Sequence, residues 1–255
     1  MDEAEEALDW TGQPIDCAAC PHVGQAACEP LKACVNDRRA RRIERFFMAN
    51  RELADDYLDH PYFEVRALAG RHCNVFRLQR LINDPEPEPR ASAALRLPLP
   101  RALPMKADAD RRVRVALASR LTGQAQLDMT TDPDSWVRLV VARRLPPELL
   151  VVVANDVDSE VRRVAARRMT LSALPAMVGD PEPMVRLEVA ERLPPERLHL
   201  LARDPDMRVR FTVAERIDLE SLAAFRDDPE SVIQELVAAR LASSQQEEDT
   251  NGPGT

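Results

Sequence analysis

Four of the five cysteines, Cys17, Cys20, Cys28 and Cys34, fall within eighteen residues as C-x2-C-x7-C-x5-C. Thiolates are soft ligands, so four of them in a short segment point to zinc or to an iron–sulfur cluster. Disulfides compete only in an oxidising compartment. The opening stretch MDEAEEALDW is acidic and has no apolar run, which argues against a signal peptide and for a reducing cytoplasm. Structural zinc sites use two closely spaced ligand pairs, and here only Cys17 and Cys20 form one. Single clusters tolerate irregular spacing as long as four ligands are present. The spacing therefore tilts toward a cluster and leaves zinc open. His22 lies two residues beyond Cys20 and is read as a surface histidine, since four cysteines already complete a site. Cys73 stands apart, at a position that elsewhere is apolar, and is read as a small core residue.

Other reactive patterns are missing. There is no phosphate loop, no GxSxG and no CxxxCxxC of the kind used by radical enzymes. The four histidines (22, 60, 72 and 199) are dispersed. No catalytic residue can be named, and the chain is expected not to be an enzyme. No stretch approaches the roughly 18–20 apolar residues of a membrane span. The net charge of −8 is uneven: residues 1–36 carry −6, the stretch from Ala242 carries −3, and the body between them is near neutral. Two acidic ends argue against nucleic acid as a partner.

The rest of the chain must position this module, and it is periodic. The string VRxxVAxRL recurs with its first residue at Val65, Pro89, Val113, Val137, Val161, Val185, Val209 and Ile233, every step being 24 residues. Arginine follows that anchor at 66, 90, 114, 138, 162, 186 and 210, with Gln234 in the last copy. A second arginine column lies seven after it, from Arg96 to Arg240, with His72 in the first copy. Alanine or Gly70 lies five after the anchor, and Leu, Met, Ile or Cys73 eight after it. Asp precedes it by five at 84, 108, 132, 156, 180, 204 and 228, and Pro follows that position in six of eight copies. Asp as helix N-cap and Pro at the first helical position would start a helix of about 12 residues there. Val137, Val141 and Leu145 give it an apolar stripe, and prolines such as Pro146 stop it. Some eight residues remain before the next Asp, with apolar pairs such as Leu198 and Leu201. That is short enough for a single 3₁₀ turn, with a strand as the alternative.

This 24-residue unit, from about Ala40 to Leu241, resembles the leucine-rich repeat variant family. The resemblance implies an all-α, right-handed superhelical solenoid of alternating α and short 3₁₀ helices. It also implies a [4Fe–4S] cluster on Cys17, Cys20, Cys28 and Cys34. The expected organisation is a cysteine-rich module at 1–36, a degenerate leading repeat at 37–59, eight repeats at 60–241 and a disordered acidic tail at 242–255. The arginine columns read either as an anion-binding face or as a structural ladder, and the recurring Asp column favours the ladder. The leading functional expectation is a protein-interaction module for an unidentified protein partner, its cluster structural or redox-sensing. An electron carrier that docks a redox partner and nucleic-acid binding through the arginines are the alternatives.

Overall fold

The computed structural model describes residues 6–24 and 28–251, with side chains to residue 244. The chain divides into two compact units, Met1–Val141 and Ala142–Thr255. In the first, helix α1 (Ala40–Ala49) and a 3₁₀ segment (Arg51–Tyr57) form a leading pair, followed by α2 (Phe63–His72) and the 3₁₀ turn Leu78–Leu81. The same alternation continues with helices Pro87–Arg96 and Arg111–Ala118. In the second unit, helices Ser159–Arg168, Pro183–Arg192 and Met207–Arg216 alternate with 3₁₀ segments Pro147–Val153, Leu174–Met177 and Pro195–Leu201. No strand forms among the described residues; only two isolated bridges occur, Leu8↔Pro14 and Glu29↔Ala33. The short second element is therefore helical, as its three-residue apolar spacing predicts. In three copies it opens with a turn of α-helix, at Leu99–Ala102, Gly123–Leu127 and Leu219–Leu222.

The columns map directly onto the core. Anchor residues Val65, Val113, Val137, Val161, Val185, Val209 and Ile233 are fully buried, as are Ala94, Ala118, Ala142, Ala166, Ala190 and Ala214. The alanines are small because neighbouring helices approach closely there. At Gly70 a Cβ would lie 2.7 Å from Leu81 Cδ1 and 3.2 Å from Ser92 Cβ, so a methyl group there would require the Leu81 side chain to shift. In the last copy Ala238 is exposed.

The Asp column is not the helix cap. Each long helix begins two residues later than expected and runs 8–10 residues within the array, roughly 15 Å at most. The caps are Asp110, Asp158 and Asp206, whose carboxylates accept the N–H of Arg112, Glu160 and Arg208. Asp84 instead accepts the N–H of Glu86 at 2.9 Å, and Asp204 that of Asp206 at 2.8 Å, which shapes the loop before the helix. The free side of these carboxylates takes a guanidinium from the preceding copy. Arg66, Arg90 and Arg114 clasp Asp84, Asp108 and Asp132 in the first unit; Arg162, Arg186 and Arg210 clasp Asp180, Asp204 and Asp228 in the second. The third nitrogen of each binds two carbonyls of its own loop, as Arg186 does with Asp180 at 2.7 Å and Pro181 at 3.3 Å. Gln234, which replaces the arginine in the last copy, keeps the carbonyl bond, to Asp228 at 2.6 Å. The second arginine column caps the preceding helix: Arg192 donates to Ala166 and Met169 carbonyls, and Arg240 to Ala214 and Ile217. Carbonyls left over at a helix C-terminus need such donors.

The tail departs from expectation. The final helix runs Ser231–Asn251 instead of ending in a disordered segment from Ala242; residues 252–255 lie outside the described residues. Three other copies stop at proline, at Leu97-Pro98, Leu145-Pro146 and Leu193-Pro194, and the rest at Asn74, Thr122, Thr170 or Asp218, whereas Leu241 is followed by ASSQQEED, which holds no proline and several good helix formers.

One stability prediction arises from the stripe. Leu145 is fully buried. Leu145→Ala should cost about 2–5 kcal/mol by loss of apolar contact and creation of a cavity. Repeats contact only their neighbours, so amide exchange should quicken near Pro147–Val153 and Ser159–Arg168 before it does in Ser231–Asn251. A uniform rise along the array would contradict the nearest-neighbour account.

Candidate metal centre

The cysteine module is built of turns, each set by a short polar device. Asp16 accepts the N–H groups of Ala18 and Ala19 at 2.9 and 3.2 Å, and Cys20 N–H bonds to Cys17 O at 3.3 Å, which closes the first pair. The second pair is closed differently. Glu29 and Ala33 exchange backbone bonds at 2.8 Å in both directions, with Leu31 at φ 67° at the tip of the turn. A leucine rarely adopts that left-handed conformation, so the surroundings must hold it there. Cys28 and Cys34 flank this bridge, so the five-residue gap that looks too wide for a ligand pair is folded back on itself.

All four cysteines line one small recess of about 50 Å³, whose remaining wall includes Ile15, Val23 and Pro30. Cys20 and Cys34 are buried, Cys17 and Cys28 half-buried. Burial pushes the Cys34 thiol up to about 11, against the pull of the Asn36 and Asp37 backbone N–H groups. Burial also raises Cys28, with the neighbouring Cys20 and Cys17 adding to it. Such thiols hold their protons at neutral pH, so a metal must displace them on binding. Among the described residues, no three His, Cys, Asp or Glu side chains converge as they would around one ion. The donors are four sulfurs in one apolar-walled recess, soft ligands of the kind that zinc or an iron–sulfur cluster takes. Asn36 Nδ2 reaches Cys20 Sγ at 3.8 Å.

Cys73 is not part of the recess. It is 1% exposed, with Sγ 3.8 Å from Gly70 O and Arg96 Nη1 at 3.9 Å from it, in the core column it was expected to occupy. His22 is not a surface residue. It is half-buried, bonded to the Tyr57 hydroxyl at 2.5 Å and packed against Phe46 with ring centroids 5.2 Å apart. Burial pushes the Tyr57 hydroxyl up to about 12, and Cys20 adds to that shift.

The recess is seated on the first repeats. Cys34 N–H bonds to Arg42 O at 3.2 Å, and Arg38 N–H to Leu8 O at 3.1 Å. Trp10 lies edge-on to His60 at 4.7 Å and stacks on Tyr62 at 6.0 Å, while Tyr62 donates to Arg38 O at 3.2 Å. Beneath these, Asp37 is fully buried and holds Arg42 at 2.8 Å. Sequence reasoning missed this pair. Its signal is that Arg42 falls on the buried stripe of α1 with Ile43, Phe46 and Phe47, where an unpaired charge would be untenable.

The comparisons agree with this geometry. Residues 7–56 match the family model described as "LRV protein FeS4 cluster", a span holding all four recess cysteines, and residues 183–206 match "Leucine rich repeat variant". A solved structure described as a leucine-rich repeat variant with a novel repetitive protein structural motif is 37% identical, over 89% of this chain and 98% of that one, with a TM-score of 0.80. An uncharacterized 27.7 kDa protein in the nifB 3′ region of Rhodobacter capsulatus is 51% identical over 89 residues. That match spans 34% of this chain and about a third, 36%, of the curated relative's length. The segment that holds the four recess cysteines thus resembles one whose family description names an FeS4 cluster.

Proposed function

Because this chain belongs to the leucine-rich repeat variant family, we propose that it is a non-catalytic, cytoplasmic scaffold whose repeats bind a protein partner and whose end is capped by one [4Fe–4S] cluster. Cys17, Cys20, Cys28 and Cys34 are the four ligands. The observation that carries this reading is the seat of the recess: the loop that bears Cys34 is bonded to α1, and His22, Trp10 and Tyr57 pack around it. A repeat array needs such a cap, since its terminal helix has no neighbour on one side. When bound, the cluster supplies a four-point cross-link and reversible electron uptake. The chain's own groups then do the rest. Asn36 and the N–H groups before α1 face the sulfurs, and His22, packed on Phe46 and Tyr57, ties the module to the leading repeat. The paired state of the Arg66-type column favours protein over nucleic acid, because those guanidinium groups already serve Asp carboxylates. Among the described residues, no helix is long and apolar enough to cross a membrane.

The test is amide exchange of anaerobic, loaded protein against protein stripped by an iron chelator. Faster exchange in Ala40–Tyr57 on stripping is expected. Unchanged exchange there, together with unchanged partner binding, would remove the cap and leave the electron-carrier reading.

A further inference from the structure

The exposed face of α1 has no structural account. Its inner stripe is Arg42, Ile43, Phe46 and Phe47. Arg41, Arg45 and Met48 recur at i, i+4 and i+7 on the opposite side, and Arg38 leads into the same stripe from just before the helix. Arg38, Arg41 and Arg45 are exposed, and Met48 is 59% exposed. The arginines of the first column are clasped by Asp; among the described residues no carboxylate forms an ion pair with these three. The face adjoins the cysteine loop. Arg45 Nη1 reaches Lys32 O at 3.5 Å, two residues before Cys34, and Cys34 itself bonds to the α1 backbone. Val23, which lines the recess, is 57% exposed.

We infer that this cationic stripe is the docking surface for a compact acidic electron-carrier protein, set beside the cysteine recess. Arginine and methionine are side chains that interfaces favour, and an exposed cationic stripe steers a carboxylate-rimmed partner toward it. A nucleic acid fits less well, since α1 exposes no aromatic ring on which a base could stack. The choice of an electron carrier, unlike the acidic character of the partner, rests on the cluster reading above.

The experiment titrates the full chain with a strongly acidic [2Fe–2S] ferredoxin at low salt. It compares wild type with Arg41→Glu/Arg45→Glu and with Arg41→Lys/Arg45→Lys. Both positions face solvent, so helix content should be unchanged. The expected result is saturable binding that weakens with added salt, a loss of affinity of tenfold or more in the Glu variant, and recovery in the Lys variant. No binding to wild type, equal binding by the Glu variant, or tighter binding of a DNA duplex lost in that variant would each overturn the proposal. A colourless preparation that still binds ferredoxin through Arg41 and Arg45 would support the docking surface while refuting the cluster.

Discussion

Replacing any one of Cys17, Cys20, Cys28 or Cys34 by Ala should destroy or severely destabilise the iron–sulfur centre, whereas Cys73→Ala should leave it intact. The four are expected to act as a unit because all line the same recess. Cys34 is 3% exposed and Cys20 9%, so no water or outside ligand can readily take the place of either sulfur. Loss of a buried ligand should therefore be more damaging than loss of half-buried Cys17 or Cys28, which leaves room for a replacement oxygen. Cys73 differs in place, not in chemistry: its sulfur faces Gly70 O inside the first repeat. Its removal should cost packing alone. Visible absorption and iron content of the five single variants, purified anaerobically, check this. Loss of colour in Cys73→Ala would break the assignment, as would full retention in Cys34→Ala.

Cutting one rung of the arginine ladder should be nearly as costly to the fold. Arg186 forks onto Asp204 at 2.6 and 2.9 Å, and the side chains are only 9% and 2% exposed. The pair holds the Arg186 guanidinium above its ordinary range, through the Asp204 bond first and against the cost of burial. Arg186→Ala strands a buried carboxylate and two loop carbonyls, and should cost about 3–5 kcal/mol. Arg186→Lys should rescue only part of that, since a single ammonium cannot reproduce the planar fork. Denaturant unfolding with local amide exchange measures both. In the double variant Arg186→Ala/Asp204→Ala the loss should be much less than the sum, because no charge is left stranded. A cost below about 1 kcal/mol for Arg186→Ala would put the ladder with solvent-exposed ion pairs and reopen the anion-binding reading.

The period of the array was legible because each column repeats without insertion, so burial, small alanines and the short second element follow from position alone. The helix start was not. Asp-Pro looks like a cap and its first helical residue, yet the partner that occupies Asp204 is Arg186, eighteen residues earlier in the neighbouring copy. A local rule cannot see it. The second pair of cysteines hid for a related reason. Their spacing becomes a ligand pair only through the Glu29↔Ala33 bridge and the left-handed Leu31, a conformation that leucine gives no hint of. His22 was misplaced because Tyr57 and Phe46, which enclose it, lie in the repeats and not in the module. The final helix passes Leu241 because nothing in the following residues stops it, an absence easily overlooked beside an acidic composition.

The most direct test of the central claim is metal and acid-labile sulfide analysis of the anaerobically purified chain, with its visible spectrum. A recess of four thiols that holds a [4Fe–4S] cluster predicts brown protein, broad absorption near 400 nm, and about four irons with matching sulfide per chain. Colourless protein carrying one zinc and no sulfide would contradict it.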